Sequence, residues 1–198
     1  LLPYALKRKR VVVATYTKAL QDQMLKSDLP LLKKHIEMEQ NRSFNFLPLK
    51  GWNNYLCNER VDAAEKSKSN GRQESFFADN DFEEIDQIIR WSKTTETGDR
   101  SDVSFSIKES TWDSVSVTRK ECFGKEKCPF YDSCFAVKSR EKSSQADVIV
   151  ANHALYAIDL AIGGHLVGPH EHVVIDEAHI ATAKTYKNAL LACTHTGA

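Results

Sequence analysis

The sequence predicts an open α/β fold built on a parallel sheet, and three observations carry the prediction. Residues 11–15 (VVVAT), 148–151 (VIVA) and 173–175 (VVI) are short, continuous runs of mainly β-branched residues, the texture of strands covered on both faces. A segment with apolar residues at helical spacing follows the first of them. The last run ends abruptly in Asp176 and Glu177, as a strand does when its carboxyl end opens on a ligand site.

The elements follow in order. After the strand at 11–15, TKALQDQMLK sets Ala19, Leu20, Gln23 and Met24 at helical spacing, so residues 1–56 read as strand, loop and helix. Residues 58–118 are polar and show little periodic pattern apart from DFEEIDQIIRWSK. There Asp81 and Glu84 form a D-x-x-E capping box, and Phe82, Ile85 and Ile89 share one face, which predicts one helix. From residue 144 the α/β texture returns, with a strand at 148–151, the Gly- and His-rich connection AIGGHLVGPHEH, and the strand at 173–175. The expected organisation is therefore a sheet domain in two pieces, 1–56 and 144–198, with a helical and irregular insertion at 57–143. An insertion of that length is expected to be held by something other than an apolar core.

Composition limits the function classes. The chain has 198 residues, 41% of them hydrophobic, enough for one ordinary core and a small satellite unit. Its 27 basic and 27 acidic residues cancel, so any anion site must be a local patch. No run approaches the ~20 apolar residues of a membrane span, and LLPYALKRKR places its apolar part before its charges, the reverse of a secretory signal. A cytoplasmic protein with no membrane partner is expected. In that setting five cysteines read as thiols or metal ligands rather than as a disulfide framework.

At the carboxyl edge of a parallel sheet, Asp176 is placed to hold a magnesium ion through water, and Glu177 to take a proton from the water that attacks a nucleotide γ-phosphate. The plainer alternative is a pair of acids capping the next helix. Cys57, Cys122, Cys128 and Cys134 are separated by 64, five and five residues, with Cys193 apart from them. Four thiolates suit tetrahedral zinc or an iron–sulfur cluster, and the close pairs that zinc ribbons favour are missing. The surroundings, ECFGKEKCPFYDSC, are charged and turn-forming rather than core-like. Metal ligation would supply the folding free energy that apolar burial there does not.

Taken together, these stretches resemble the XPD/DinG family of iron–sulfur superfamily 2 DNA helicases, in its DinG-like branch. VVVATYTKALQDQ is similar to motif Ia, LKGWNNYLC to the segment bearing the first cluster cysteine, and CFGKEKCPFYDSC to the segment bearing the other three. ADVIVANHAL and VVIDEAH, the DEAH or Walker B motif, follow in the family's order. The resemblance implies a RecA-like domain carrying an inserted 4Fe–4S domain, and ATP-driven 5′ to 3′ unwinding of single-stranded or forked DNA in the service of DNA repair at the bacterial nucleoid. It implies ligation of the cluster by Cys57, Cys122, Cys128 and Cys134, Mg-ATP chemistry at Asp176 and Glu177, and coupling through His179.

The same comparison marks departures. The family's Gly-Lys-Ser/Thr phosphate loop has no counterpart here, because FGKEK at 123–127 lacks both the hydroxyl and the preceding glycine. LLPYAL looks like the helix that follows that loop. The expectation is a fragment without the Walker A loop or the second RecA-like domain, inactive alone as an ATPase. Trp52 stands where the family usually has arginine. The tail LLACTHTGA has no identifiable likeness, and Cys193 within it reads as a buried thiol.

Several residues are candidates for DNA contact. Thr15, Thr17 and Lys18 end the first strand, where such residues donate to phosphates or merely cap a helix. Asn152 and His153 follow the second strand, and the resemblance puts them near DNA. Residues 119–142 hold seven basic and four acidic side chains with Phe123, Phe130, Tyr131 and Phe135 interleaved, so Lys125, Lys127, Lys138 and Arg140 are candidates for phosphate contact beside stacked bases. Aromatic packing around a metal site is the alternative. Two function classes remain open: a helicase portion whose cluster domain grips DNA, and a non-enzymatic DNA-binding module in which iron–sulfur or zinc is a structural staple.

Overall fold

The computed structural model describes residues 9–69 and 82–179, except for the Lys18 and Ser69 side chains. Asp81 and Cys193, singled out above, lie outside the described residues. Contacts divide the chain into two compact units, one formed by residues 1–50 and 140–198 and the other by residues 51–139. In the first unit, the elements are β1 (Val11–Thr15), α1 (Lys18–Gln23) and α2 (Leu29–Gln40), then β2 (Phe46–Leu49). In the second they are α3 (Asn58–Ser69), α4 (Phe82–Ser92), α5 (Glu109–Val115) and the start of α6 (Phe135–Ser143). The chain then completes the first unit with β3 (Val148–Asn152), α7 (His153–Ala161) and β4 (His172–Ile175).

The first unit is an all-parallel four-stranded sheet in the order β2-β3-β1-β4, compatible with a RecA-like domain. Successive side chains of a strand point to opposite faces, and both faces are covered. Val12, Ala14, Ile149 and Ala151 pack on one side with Leu155 and Tyr156 of α7. Val11, Val13, Val148 and Val150 pack on the other with Leu29 and Ile36 of α2 and with Phe44. Double coverage explains why β1 and β3 are uninterrupted apolar runs. β2 was not anticipated, because its FLPL contains Pro48. Proline is tolerated there since, among the described residues, β2 is the outer strand, with one side free of a ladder.

The predicted helix after β1 extends further than expected. α1 runs through a wide turn at Met24–Asp28, in which the Leu29 N–H donates to the Met24 carbonyl, into α2. Pro30 lies in the first turn of α2 and cannot donate the bond that a continuous helix needs, so the change of pitch falls just before it. The Gly-rich connection is organised by Asp159, fully buried in α7, whose Oδ1 accepts the N–H groups of Leu166 (2.7 Å) and Val167 (3.0 Å). Arg10 anchors the same connection, donating to the carbonyls of Pro169 (2.8 Å) and Val167 (3.0 Å).

The second unit corrects the sequence reading in two respects. It holds several helices rather than one, and it has an apolar core of its own: Leu56, Val61, Ile85, Ile88, Ile89, Trp112 and Val115. These residues are spread over three helices and a loop, few in any window, so no single stretch showed a pattern. In α4, Ile85, Ile88 and Ile89 are buried whereas Phe82 is 40% exposed. The Glu84 carboxylate accepts the Lys108 N–H at the start of α5 (2.9 Å), whereas the Asp81 half of the expected capping box lies outside the described residues.

Candidate functional sites at the sheet edge and the cysteine pocket

Parallel pairing brings the carboxyl ends of β1, β3 and β4 to one edge, with Thr15 opposite Asn152 and Ala14 opposite Ile175. The Asp176 N–H extends the ladder to the Ala14 carbonyl (2.9 Å). Beyond it the backbone turns sharply, and Glu177 takes a left-handed conformation with φ of 51°, uncommon for a residue with a side chain. The Asp176 Oδ1 accepts the Glu177 N–H (3.0 Å), so the first acid braces the backbone of the second. Glu177 is exposed, and its Oε2 lies 3.4 Å from His179 Nδ1.

A buried imidazole ties this turn to the sheet. His153 is 2% exposed, and its Nε2 lies 2.9 Å from the Asp176 carbonyl and 3.2 Å from that of Ala14. Carbonyls only accept, so Nε2 carries the proton. His153 Nδ1 and Thr15 Oγ1 are both buried, and neither has a hydrogen-bond partner among the described residues. Sequence reasoning placed His153 near DNA; its geometry makes it a brace between β1 and the acidic turn, a role no local pattern could reveal.

In the other unit, Cys57, Cys122, Cys128 and Cys134 line one pocket, whose walls also include Trp52, Leu56, Phe130 and Ala136. All four are free thiols, partly buried. Three separate stretches deliver them. Cys57 is fixed just before α3 by its N–H bond to the Val115 carbonyl (2.9 Å). Cys122 and Cys128 belong to a tight loop in which the Cys128 N–H reaches the Gly124 carbonyl (3.0 Å), and Cys134 precedes α6, its N–H bonded to the Tyr131 carbonyl (3.1 Å). Burial pushes the Cys57 thiol pKa upward, opposed by hydrogen bonds from the backbone of Arg60 and Glu59. Among the described residues, no group of three or more His, Cys, Asp or Glu side chains is arranged to hold a metal ion.

Comparison with known proteins supplies what geometry alone does not. No family model matches the chain. Over 176 residues it is 36% identical to the ATP-dependent helicase DinG of Mycobacterium tuberculosis, an alignment covering 85% of this chain and 26% of that protein. Over 187 residues it is 34% identical to the ATP-dependent DNA helicase YoaA of Escherichia coli (90% and 27% covered) and 32% identical to the ATP-dependent DNA helicase DinG of Photobacterium profundum (90% and 26%). The chain belongs to the DinG-like helicase family. It spans about a quarter of the length of the curated relatives it matches.

Within that family framework the DNA-contact candidates divide. Thr17 caps α1, its Oγ1 accepting the Leu20 N–H (3.2 Å), and Asn152 caps α7, its Oδ1 accepting the Leu155 N–H (2.7 Å). Thr15 is fully buried. Arg140 donates to the Lys50 carbonyl (3.3 Å). Lys125, Lys127 and Lys138 are exposed, as is Phe123 at 58%, whereas Phe130, Tyr131 and Phe135 are partly buried. Glu121, two positions before Phe123, is engaged locally: its carboxylate accepts from Thr118 N (2.8 Å) and Oγ1 (2.7 Å) and pairs with Arg60 (2.9 Å). Hydrogen bonds from the Thr118 backbone and hydroxyl hold its pKa below the usual carboxylate value. Where the family usually has arginine, Trp52 carries a borrowed guanidinium, that of Arg119, 5.2 Å from its ring centroid. No helix among the described residues is long and apolar enough to cross a membrane.

Proposed function

We propose that this chain is the part of an ATP-dependent 5′ to 3′ DNA helicase that bears the DEAH motif and a 4Fe–4S unit engaging single-stranded or forked DNA. The observation that carries the reading is the convergence of Cys57, Cys122, Cys128 and Cys134 on one pocket from three separate stretches. A single zinc ion would draw four sulfurs onto a tetrahedron with edges of about 3.8 Å, from Zn–S bonds of about 2.3 Å. The spacing of the four, without the close pairs that zinc ribbons use, favours an iron–sulfur cluster over that ion. Such a cluster, when bound, supplies four iron–thiolate bonds that cross-link the stretches.

In the sheet unit, Asp176 would hold Mg-ATP through water and Glu177 would take the proton of the attacking water, with His179 beside Glu177 to relay the state of the site. The chain's own groups prepare this arrangement. His153 fixes the Asp176 carbonyl, Asp176 fixes the Glu177 N–H, and the left-handed turn sets the Glu177 side chain apart from its neighbour. The names of the relatives, ATP-dependent helicase and ATP-dependent DNA helicase, support ATP and DNA as the ligands; Mg²⁺ with the nucleotide, a cytoplasmic, nucleoid setting and a part in DNA repair complete the proposal. In the second unit Lys125, Lys127 and Lys138 would meet phosphates and Phe123 a base; of the sheet-edge candidates Thr17, Lys18 and Asn152 would contact phosphates rather than bases, while the buried Thr15 and His153 would shape that edge from within.

Anaerobic purification with iron, sulfide and visible absorption measurements tests the cluster, and iron-free protein binding one zinc would overturn it. Salt titration of single-strand affinity tests the grip. Each phosphate contact contributes a slope of roughly −0.7, so replacing Lys125, Lys127 and Lys138 by Ala is expected to flatten the slope by up to about 2 units. An unchanged slope would leave the metal as a structural staple in a module that does not use this face.

A further inference from the structure

Gly98 carries no candidate ligand side chain and lies 41 residues after Cys57 and 24 before Cys122, the cysteines nearest it in sequence, yet its contacts reach the segments bearing both Cys57 and Cys134. It is buried and left-handed, with φ of 59°. Its carbonyl accepts the N–H of Leu56 (2.8 Å), the residue before Cys57, and neighbouring Asp99 bridges Tyr55. On its other side the Phe135 ring, next to Cys134, occupies the place of a side chain. A Cβ on Gly98 would come within 2.3 Å of Phe135 Cγ and 2.4 Å of Cδ2. The turn has little freedom to retreat. The Gly98 N–H is held by Thr95 Oγ1 (3.0 Å), the Asp99 Oδ1 accepts Ser101 N (2.8 Å) and Oγ (2.9 Å), and Thr97 Oγ1 donates to Asp102 (2.5 Å).

We propose that Gly98 is a positioning residue for the cysteine pocket, a backbone gauge whose carbonyl sets the strand leading into Cys57 while its bare Cα seats the Phe135 ring that sets Cys134. The inference rests on the reading of the four cysteines as cluster ligands. Its logic is that of a supporting shell: groups that orient ligands control occupancy without touching the metal. With any side chain at 98, Phe135 must leave its seat or the turn must lift, and either movement pulls one of the two cysteines away from the pocket that they share.

The test uses the full 198-residue chain, prepared anaerobically, with iron and sulfide per chain, the visible spectrum and far-UV circular dichroism as readouts. Gly98→Ala is expected to weaken iron retention roughly 10- to 100-fold, the range seen when a ligand-orienting group is lost, with helical content kept. Phe135→Ala, which empties the same seat, is expected to weaken iron retention as well, and the two substitutions together to lose less than the sum of their separate effects, because both act through one contact. Full iron and an unaltered spectrum in Gly98→Ala would overturn the proposal. If that variant does not accumulate in soluble form, Phe135→Ala decides: weakened iron retention with helical content kept supports the gauge, and full iron with an unaltered spectrum overturns it. Iron-free unsubstituted chain would instead overturn the cluster reading, and the gauge with it.

Discussion

The two units reach order by different means. The sheet unit buries β1 completely, and its apolar residues are concentrated in runs of four in β1 and β3, flanked on both faces by helices. The cysteine-bearing unit assembles its core from single residues on α3, α4 and α5 and from Leu56, and then leaves four thiols facing one pocket. The difference teaches that burial in the first unit is written along the chain, whereas in the second it is written across it. A structure of the second kind needs groups that fix the relative placement of distant stretches, and the proposed cluster is such a group.

The most damaging way to probe this contrast is to remove the cross-link. Replacing Cys128 by Ser, or stripping iron with a chelator, is expected to abolish hydrogen-exchange protection in α3 to α6 while β1 and β3 remain protected. The expected loss is of the order of several kcal/mol, below the ~10 kcal/mol and more of structural zinc in small domains that lack a core. Equal loss of protection in both units would break the comparison. Next come the cores themselves. Trp112→Ala is expected to cost about 3–5 kcal/mol and Ile149→Ala about 2–5 kcal/mol, each read as lost exchange protection in its own unit.

A smaller effect is expected at the acidic turn. His153→Ala removes the donor shared by the Ala14 and Asp176 carbonyls; Ala14 keeps the Asp176 N–H, so the loss falls mainly on the part-buried Asp176 carbonyl and costs about 1–3 kcal/mol. Thermal unfolding followed by circular dichroism measures it, and an unchanged midpoint would show that the imidazole is no brace. Smallest is the helix cap: Thr17→Ala is expected to cost about 1 kcal/mol, with α1 fraying in exchange measurements and no effect on the cysteine unit.

The same contrast explains what could be read from the sequence. β1 and β3 were legible because strands buried on both faces are locally apolar, and β4 by its β-branched run although Val173 is 40% exposed; the candidate site at their carboxyl edge was legible because parallel topology gathers strand ends there. β2 was hidden by Pro48, permissible only because the strand is at the sheet's edge, which is a fact of topology. α3 was hidden because NERVDAAEKSKS buries only Val61 and partly Ala64, against residues more than twenty positions away. The cysteines were visible from spacing and surroundings, but their common pocket was not, since it depends on Gly98 and on the Val115 carbonyl. Among the DNA candidates, burial of Thr15 and His153 and the backbone bond of Arg140 are invisible in composition. A charged or polar residue reads the same whether it faces solvent or a carbonyl.

Tyr55 Oη and Ser139 Oγ, near the two ends of the cysteine-bearing unit, lie 2.7 Å apart. That contact bears on the order in which the protein folds. β2 and β3 are neighbours in the sheet although about 100 residues intervene, and closing so long a loop costs about 2 kcal/mol more than closing a minimal crossover of a dozen residues. Once the intervening unit has folded, with its entry and exit side by side, the chain between β2 and β3 behaves kinetically as a short connection. The central strand β3 is then delivered to β1 and β2 by a unit that has already folded, so the sheet's rate of closure depends on residues that are not in the sheet.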